Sequence, residues 1–183
     1  MSPDEHDPHD QHGESENASD LFIAIPPIES ERYAWPNSDI DPVEKMRALA
    51  ASLPYVAADE TVFDVPFETF WHFIEDLEVN TPRIEGAVRQ LKILDRNGDR
   101  LRLKARSPIG FWDEFDVILR SGFCVMQGRS GQIGMAARPE SETTTRYFHF
   151  EGTKILGRIA RPFFAWNVRQ DFRRLRRLLE TRS

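Results

Sequence analysis

The strongest constraint on the fold of this chain is a predicted strand that runs directly into a predicted helix. Side chains over residues 56–65 alternate with the two-residue period of a strand. Pro66 suits the first turn of a helix, and the next residues carry an apolar stripe at helical spacing, made of Phe67, Phe70, Trp71, Ile74 and Leu77. Together with the strands and the long helix that follow, this pair predicts a sheet that wraps around a closing helix.

Six further strands are predicted after this pair, in hairpin succession. The turn Asn97-Gly98 joins the first two of them, because both residues tolerate the positive φ that a tight hairpin needs. In the second of them, Leu101, Leu103 and Ala105 alternate with basic residues, which indicates an antiparallel strand with a basic outer face. The six predicted strands cover residues 87–96, 99–106, 112–120, 122–129, 131–138 and 143–153.

A long helix is predicted over residues 155–180, and Pro162 either kinks it or starts its continuous part. It has two adjacent apolar stripes, which predict a wide buried face: Phe164, Val168, Phe172, Leu175 and Leu179 in one, and Ile155, Ile159, Phe163 and Trp166 in the other. The helix is also rich in arginine, at positions 169, 173, 174, 176, 177 and 182. We interpret these arginines as a solvated outer face, with contact to an anionic membrane or a protein as the alternative.

This order of elements resembles the START-like, or Bet v 1-like, helix-grip superfamily (SRPBCC), which includes polyketide cyclases and lipid-transfer domains. The sequence ETVFDVPFETFWHFI at 60–74 looks like the opening strand and aromatic-rich helix of that superfamily, and TRYFH at 145–149 looks like its last strand. The resemblance covers about residues 56–183. It implies an α+β fold with a seven-stranded antiparallel sheet around a long C-terminal helix, two short helices after the first strand, and an apolar ligand pocket. No catalytic residue transfers automatically, because members range from carriers to cyclases.

The chain is predicted to contain three regions. Residues 1–20 hold almost no large apolar side chain and are predicted to be a disordered acidic tail, because they bury too little surface to offset the entropy of ordering. Residues 21–55 are predicted to be an ordered extension with one helix, which starts at the N-cap Asp41 and Pro42. Residues 56–183 are predicted to form the START-like ligand-binding domain.

The formal net charge of −6 divides unevenly, into −16 for residues 1–80 and +10 for residues 81–183. A basic half can indicate a nucleic-acid or lipid surface. Here the basic residues are spread over strands as well as the helix, so we expect the acidic part to shield them and expect no nucleic-acid partner. The chain has a single cysteine, Cys124, and neither a membrane-length apolar run nor a signal sequence. These features favour a soluble, cytoplasmic protein.

The pocket implied by the resemblance needs apolar walls and a few polar groups that orient a ligand. The apolar candidates, for each of which ordinary core packing is nearly as good an explanation, are Leu103, Phe115, Val117, Leu119, Met126, Phe163 and Trp166. The polar candidates are Tyr147 and His149, which share one face of the last strand. The other face carries Phe148 and Phe150, so the alternation alone leaves the inward face open. We expect Tyr147 and His149 to point inward.

The sequence predicts no metal site and no cofactor. His6, His9 and His12 lie among carboxylates at three-residue spacing, but a disordered tail lacks the second shell of a real metal site. Residues 128–134 have a glycine at every third position, yet no helix follows to bind a pyrophosphate, so turns and bulges explain these glycines better than a dinucleotide site.

These observations favour a protein that binds a hydrophobic small molecule, such as a lipid, polyketide or isoprenoid-like compound, in an internal cavity without covalent chemistry. The alternative is an enzyme of the polyketide cyclase or dehydratase type, in which Tyr147, His149 or a pocket acid moves protons. A third hypothesis is an interaction module that binds a protein or membrane through residues 21–55 or the arginine-rich helix. The sequence leaves the ligand and the oligomeric state open.

Overall fold

The computed structural model describes residues 40–181. The predictions for the tail over 1–20, for residues 21–39 and for Arg182 lie outside this part. The elements, in chain order, are α1 (Pro42–Ala51), β1 (Val56–Phe63), α2 (Phe67–Glu75), α3 (Leu77–Ile84), β2 (Gln90–Asn97), β3 (Arg100–Arg106), β4 (Trp112–Arg120), β5 (Phe123–Gly128), β6 (Gly131–Pro139), β7 (Thr145–Thr153), a 3₁₀ turn (Gly157–Ala160) and α4 (Arg161–Glu180). Among the helices of the described residues, none is both long and apolar enough to cross a membrane.

The seven strands form one sheet with the order β1-β7-β6-β5-β4-β3-β2. Every neighbouring pair is antiparallel, and the Asn97-Gly98 turn joins β2 to β3 as predicted, with Gly98 at φ +61°. The last strand, β7, lies between β1 and β6, so the first and last strands of the sequence are neighbours. The sheet and the long α4 confirm the predicted α+β helix-grip class, with α2 and α3 as the two short helices after β1.

The inner face of the sheet packs against α2, α3 and α4 in one apolar core. Aromatic rings fill the part of this core between β1, β7 and the helices. The ring centroids of Phe63 and Phe70 are 5.1 Å apart, and those of Tyr147 and Phe172 are 5.7 Å apart. These contacts fix the position of α4 against β7, which matters for the site described below.

The outer face of the sheet is covered in part by α1. Asp41 caps this helix as predicted, because its carboxylate accepts a hydrogen bond of 2.7 Å from the Val43 amide. Val43 and Met46 are fully buried and belong to a second apolar cluster with Phe148 and Phe150 of β7. Both faces of β7 are therefore buried, one by α1 and the other by the main core.

The helix predicted over residues 155–180 is regular only from Arg161, which agrees with the alternative in which Pro162 starts its continuous part. After β7 the chain enters the 3₁₀ turn, and α4 begins at Arg161 with Pro162 in its first turn. Gly157 adopts φ +52°, a left-handed conformation that interrupts a helix. Pro162 is tolerated only where its missing N–H has no helical partner, so the regular helix starts there.

Candidate functional site

Most of the predicted ligand-binding residues lie in the main core. Leu103, Phe115, Val117, Leu119 and Met126, on β3, β4 and β5, are buried on the inner face of the sheet. Phe163 and Trp166 differ, because they are 57% and 54% exposed near the start of α4. We predicted that the stripe containing Phe163 and Trp166 would be buried against the sheet. This prediction is wrong, because α4 packs on the core with its other stripe, which contains Val168, Phe172, Leu175 and Leu179.

The structure resolves which face of β7 points inward. Tyr147 and His149 are each 1% exposed and lie on the inner face, whereas Phe148 and Phe150 pack outward beneath α1. The alternation in the sequence was ambiguous because α1 buries the outer face as well. The inward position predicted for Tyr147 and His149 is therefore the observed one, while a role in ligand binding remains a proposal.

His149 lies in a buried cluster of ionisable side chains, which we call the His149 cluster: Glu85, His149, Glu151 and Asp171. Glu85 follows the last residue of α3, His149 and Glu151 are two residues apart on β7, and Asp171 is on α4. Each of these residues is at most 2% exposed. One donor atom from each lies within 4.8 Å of the others, a spacing compatible with shared binding of a single cation.

The distances within the cluster centre on one nitrogen of the imidazole. His149 Nε2 lies 3.3 Å from Glu85 Oε1, 3.3 Å from Glu151 Oε1 and 3.8 Å from Asp171 Oδ2. The other ring nitrogen, Nδ1, is 2.9 Å from the Gly134 carbonyl oxygen and donates to it. This hydrogen bond places the Nδ1 proton and aims Nε2 at the three carboxylates.

Neighbouring groups hold the carboxylates in place. Asn167 Nδ2 donates to Glu151 Oε2 at 2.7 Å and to Asp171 Oδ2 at 3.3 Å. The Gly86 amide donates to Asp171 Oδ1 at 3.0 Å, and Arg174 donates to the same oxygen. Each of these contacts joins α4 to another element or to its own next turn, so the cluster is part of the packing between α4, β7 and the segment after α3.

Burial shifts the pKa values of these groups. It raises the pKa of Glu151 to about 7, an effect that the nearby Glu85 carboxylate increases, and it raises the pKa of Asp171 to about 6. For His149, burial alone would lower the pKa, but the facing carboxylates, Glu85 first among them, raise it well above its usual value. Burial also keeps Tyr147 neutral, because it raises the pKa of the phenol.

Two polar groups of the site accept or donate no hydrogen bond among the described residues. One is the Glu85 carboxylate, both of whose oxygens are buried, and the other is the Tyr147 hydroxyl. The Tyr147 and His149 rings are nearly parallel, with centroids 6.1 Å apart. A buried polar group without a partner costs free energy, so these atoms mark a place where a ligand could be bound.

Large exposed apolar side chains gather at one end of the sheet. This end of the sheet holds the β3–β4 loop, the β5–β6 turn and the segment after β7. Ser130 in the β5–β6 turn connects them: its amide donates to Asp113 Oδ2 at 3.1 Å, and its carbonyl oxygen accepts from the Lys154 amide at 2.8 Å. We call the exposed apolar residues here the apolar rim: Ile109, Phe111, Trp112, Ile155, Leu156, Ile159, Phe163 and Trp166. Ile159 is 89% exposed, the highest fraction among them.

The arginines of α4 have several partners within the chain. Arg174 pairs with Asp171, Arg169 lies 3.7 Å from Asp59, and Arg176 lies over the Phe63 ring at 5.1 Å. Arg173 and Arg177 are exposed. These contacts account for part of the arginine content of the helix without an external partner.

A groove of about 570 Å³ lies apart from the His149 cluster, beside α2 and the end of α4. It is lined by α2 residues together with Val65, Ser121 and Leu179. None of the predicted ligand-binding residues lines this groove, so it does not correspond to the cavity inferred from the sequence.

Sequence reasoning found His149 but missed the carboxylates around it. Glu151 follows His149 with strand spacing, and Asn167 and Asp171 are four residues apart on α4, so their shared faces were readable as local patterns. Glu85 gave no such signal, because it lies outside a regular element. Only the fold brings these distant positions together.

No protein-family model matches this sequence, and no curated protein matches it either. Solved structures match its shape. A START superfamily protein from Mycobacterium smegmatis is 15% identical, with a TM-score of 0.54 over 70% of this chain and 99% of that one. The Zhui aromatase/cyclase from Streptomyces sp. R1128 is 12% identical, with a TM-score of 0.51 over 69% of this chain and 94% of that one. At such identities, structural likeness establishes the fold alone.

Proposed function

We propose that this chain, which has the START-like helix-grip fold, binds a hydrophobic small molecule of the lipid, polyketide or isoprenoid-like class. The ligand enters at the apolar rim and directs its polar part towards the His149 cluster. The observation that carries the proposal is the rim itself. Eight large apolar side chains exposed at one end of a domain are more typical of a binding surface than of a solvated one.

The rim and the cluster are close along the chain, which supports a path between them. Trp166 of the rim precedes Asn167, whose amide donates to Glu151 of the cluster. Ile155 of the rim follows the end of β7, four residues after Glu151. A ligand at the rim therefore lies beside the ends of β7 and α4 that carry the buried polar groups.

Removal of apolar surface from water supplies the affinity in this mechanism, and the polar groups supply orientation. The Tyr147 hydroxyl is the best placed of the predicted polar residues, because it is buried and makes no hydrogen bond with any described residue. It can donate to a ketone or hydroxyl oxygen of the ligand. Phe163 and Trp166, whose rings are 6.3 Å apart, offer flat surfaces at the entrance.

The test combines identification of a natural ligand with a matched pair of variants. The full chain is purified from cells under mild conditions, examined by native mass spectrometry, and extracted with solvent for identification of bound molecules. Binding of palmitate, geranylgeraniol and an anthraquinone is measured in parallel. The variant Ile159→Glu/Phe163→Glu should weaken binding at least about tenfold, because each side chain contributes ~1.5–3 kcal/mol when fully buried.

The control is Leu94→Glu, which adds a charge at an exposed apolar position near the opposite end of the sheet. It should bind the ligand as the unmodified chain does. A clean unliganded mass together with no binding from the panel would contradict the proposal. Binding to phosphatidylserine vesicles that requires the rim, without any discrete ligand, would instead identify the rim as a membrane contact.

A second candidate function is an enzyme of the polyketide cyclase or dehydratase type. The observation in its favour is the pairing of the unpartnered Tyr147 hydroxyl with the stacked imidazole of His149 inside the core. These groups could hold a poly-ketone chain in a folded shape and assist proton movement. Incubation with a linear poly-β-ketone thioester tests this: cyclised product that falls at least about tenfold in Tyr147→Phe, with substrate binding retained, would favour the enzyme over the carrier.

A further inference from the structure

We propose that the His149 cluster is a binding site for one divalent transition-metal ion of the zinc class, held by Glu85, His149, Glu151 and Asp171. This proposal does not rest on the hydrophobic ligand, because it depends only on the donor atoms of these four side chains. The ligand atoms are His149 Nε2 and one carboxylate oxygen from each of the three acids.

The spacing of the donor atoms fits four-coordinate binding. Zinc–nitrogen and zinc–oxygen bonds of 2.0–2.2 Å place the ligand atoms of a tetrahedral site about 3.3–3.6 Å apart. His149 Nε2 is 3.3 Å from the nearer oxygens of Glu85 and Glu151 and 3.8 Å from that of Asp171. The four donor atoms lie within 4.8 Å of one another, so side-chain movements of roughly 1 Å would bring all of them to bonding distance of a common ion.

The imidazole has the orientation that a metal ligand requires. Its Nδ1 donates to the Gly134 carbonyl oxygen at 2.9 Å, so in the neutral ring the lone pair is on Nε2, which faces the carboxylates. Metal-binding histidines usually donate their second ring nitrogen to a carbonyl or carboxylate in this way. Without a metal ion the facing carboxylates raise the pKa of this imidazole, so a bound ion would take the place of the proton on Nε2.

The carboxylates also have the outer partners typical of metal ligands. Asn167 donates to Glu151 and Asp171, and the Gly86 amide and Arg174 donate to the second oxygen of Asp171. Glu151 accepts from Asn167 on Oε2 and faces His149 Nε2 with Oε1, whereas Asp171 Oδ2 both accepts from Asn167 and faces Nε2. Such partners fix the orientation of first-shell oxygens in known metal sites.

Charge balance favours a divalent ion. The three ionised carboxylates carry three negative charges, Arg174 supplies one positive charge through its pair with Asp171, and a divalent ion supplies the other two. Without enough positive charge nearby, the burial of ionised carboxylates is strongly unfavourable. A bound ion removes this cost while His149 stays neutral.

Glu85 provides independent support, because the cluster alone does not satisfy it. It is 2% exposed, and neither of its oxygens accepts a hydrogen bond among the described residues, although Oε1 points at His149 Nε2 from 3.3 Å. The single contact with His149 leaves Oε2 buried and unpaired, and a bound cation would supply a partner for this carboxylate. The donor set of one imidazole and three carboxylates in a dry core suits zinc better than Mg²⁺, which retains several waters.

The experiment measures retained zinc in the full chain. The protein is unfolded in guanidinium with EDTA, refolded with and without Zn²⁺, and dialysed, because a buried site exchanges slowly in the folded state. Elemental analysis should then find one zinc per chain, and added zinc should raise the thermal midpoint. Glu85→Gln should lose the retained zinc and the thermal shift, with affinity at least about a hundredfold lower, since it removes a ligand rather than a supporting group.

Two controls separate this site from other zinc ligands. Glu114→Gln changes an exposed carboxylate that pairs with Arg102 and should retain one zinc. A triple variant that replaces His6, His9 and His12 with Gln should also retain it, which excludes the N-terminal histidines. The proposal is overturned if the unmodified chain retains no zinc, if Glu85→Gln retains as much, or if the triple histidine variant loses it.

The Glu85→Gln variant remains informative even without metal. Because Glu85 Oε1 faces His149 Nε2 at 3.3 Å, its replacement should lower the stability of the metal-free protein, and guanidinium unfolding measures this loss. Glutamine keeps the shape of the side chain, and zinc is compared only in samples whose circular dichroism shows that the variant is folded. Failure of the zinc experiment leaves the hydrophobic-ligand proposal intact, because that proposal is tested at the rim with variants that do not touch the cluster.

Discussion

Gly134 of β6 lies beneath the ring of Phe150 on the neighbouring strand. A side chain added at this position would overlap that ring, so the residue is a glycine because of packing across the sheet. The sequence analysis explained the glycines at positions 128, 131 and 134 by turns and bulges. That explanation does not account for Gly134. Close approach of an aromatic ring to a strand backbone is a common use of glycine in sheets.

We predict that Gly134→Val destabilises the protein by roughly 1–3 kcal/mol or more, because the new side chain forces Phe150 out of its position beneath α1. Urea unfolding monitored by circular dichroism measures the change. Gly98→Asn is the control: Gly98 has φ +61° and open space around it, and asparagine tolerates this conformation. Equal stabilities for the two variants would contradict the packing explanation.

Cys124 is fully buried, and burial raises the pKa of its thiol far above the usual value. We therefore predict that iodoacetamide fails to modify the native chain at neutral pH and modifies it fully after denaturation. Mass spectrometry of the intact protein measures the outcome, and the denatured sample shows that the reagent is active. Rapid modification of the native protein would show that the core opens at this position.

At the scale of single residues, the sequence predicted which side chains point into the core better than it predicted which side chains they contact. The alternation of β7 placed Tyr147 and His149 on one face, since that depends only on neighbours along the strand. Of the three carboxylates that surround His149, Glu85 and Asp171 come from two other places in the fold, and Glu151 comes from the same strand. Their convergence depends on how α3 and α4 dock, which local patterns do not specify.

Among the elements, α1 is attached to the sheet by both apolar and charged contacts. Met46 is fully buried in the cluster that contains Phe148 and Phe150. Glu60 of β1 connects Arg47 of α1 to Arg146 of β7, through a hydrogen bond of 2.9 Å to Oε2 and one of 2.7 Å to Oε1. The helix therefore contributes to the stability of the sheet that it covers.

We predict that Met46→Ala lowers the free energy of unfolding by about 2–5 kcal/mol, because it leaves a cavity between α1 and β7. Guanidinium unfolding measures this loss. Lys45→Ala, one residue earlier on the exposed side of α1, is the matched control and should change stability by less than about 0.5 kcal/mol. A small effect from both would show that α1 is only loosely attached.

The Glu60 ion pairs should make stability depend on pH. Burial alone would raise the pKa of Glu60, but hydrogen bonds from Arg146 and Arg47 outweigh it, so the folded pKa is lowered. A lowered folded pKa means that the stabilisation is complete above the unfolded pKa of about 4.3 and is lost as pH falls through the folded pKa. Glu60→Gln should therefore be less stable at pH 7, and the difference should shrink in acid. A constant difference in urea unfolding from pH 7 to pH 3 would contradict this.

The start of α4 shows what a helical pattern can and cannot predict. Ile155, Ile159 and Phe163 recur at four-residue spacing, which predicts a buried helical stripe. In the structure these residues are exposed, and the first two precede the regular helix. The pattern detects apolar side chains on a common side, but it does not distinguish a surface that packs on the core from one available to a ligand.

For the whole molecule, the order of strands and helices was predictable because each element carries its own local signal. The strand periods, the Asn97-Gly98 turn and the Asp41 cap agree with the structure, whereas the helical period before Arg161 does not. The resemblance to the helix-grip superfamily implied one seven-stranded antiparallel sheet, but the strand order and the pairing of β1 with β7 are seen only in the structure. The His149 cluster as a whole could be predicted neither from local patterns nor from the resemblance, because proteins of one fold at low sequence identity differ in their site residues.

The burial of β7 on both faces has a consequence for how the protein opens. This strand is hydrogen-bonded to β1 and β6 on its two sides, whereas β2 is bonded only to β3 and is mostly exposed. Backbone amides exchange with deuterated solvent only when their hydrogen bonds break. Amides of β7 should therefore exchange only through global unfolding. Amides along the free edge of β2 should exchange through local fraying. The last amide protons that the molecule retains should be those on either side of His149.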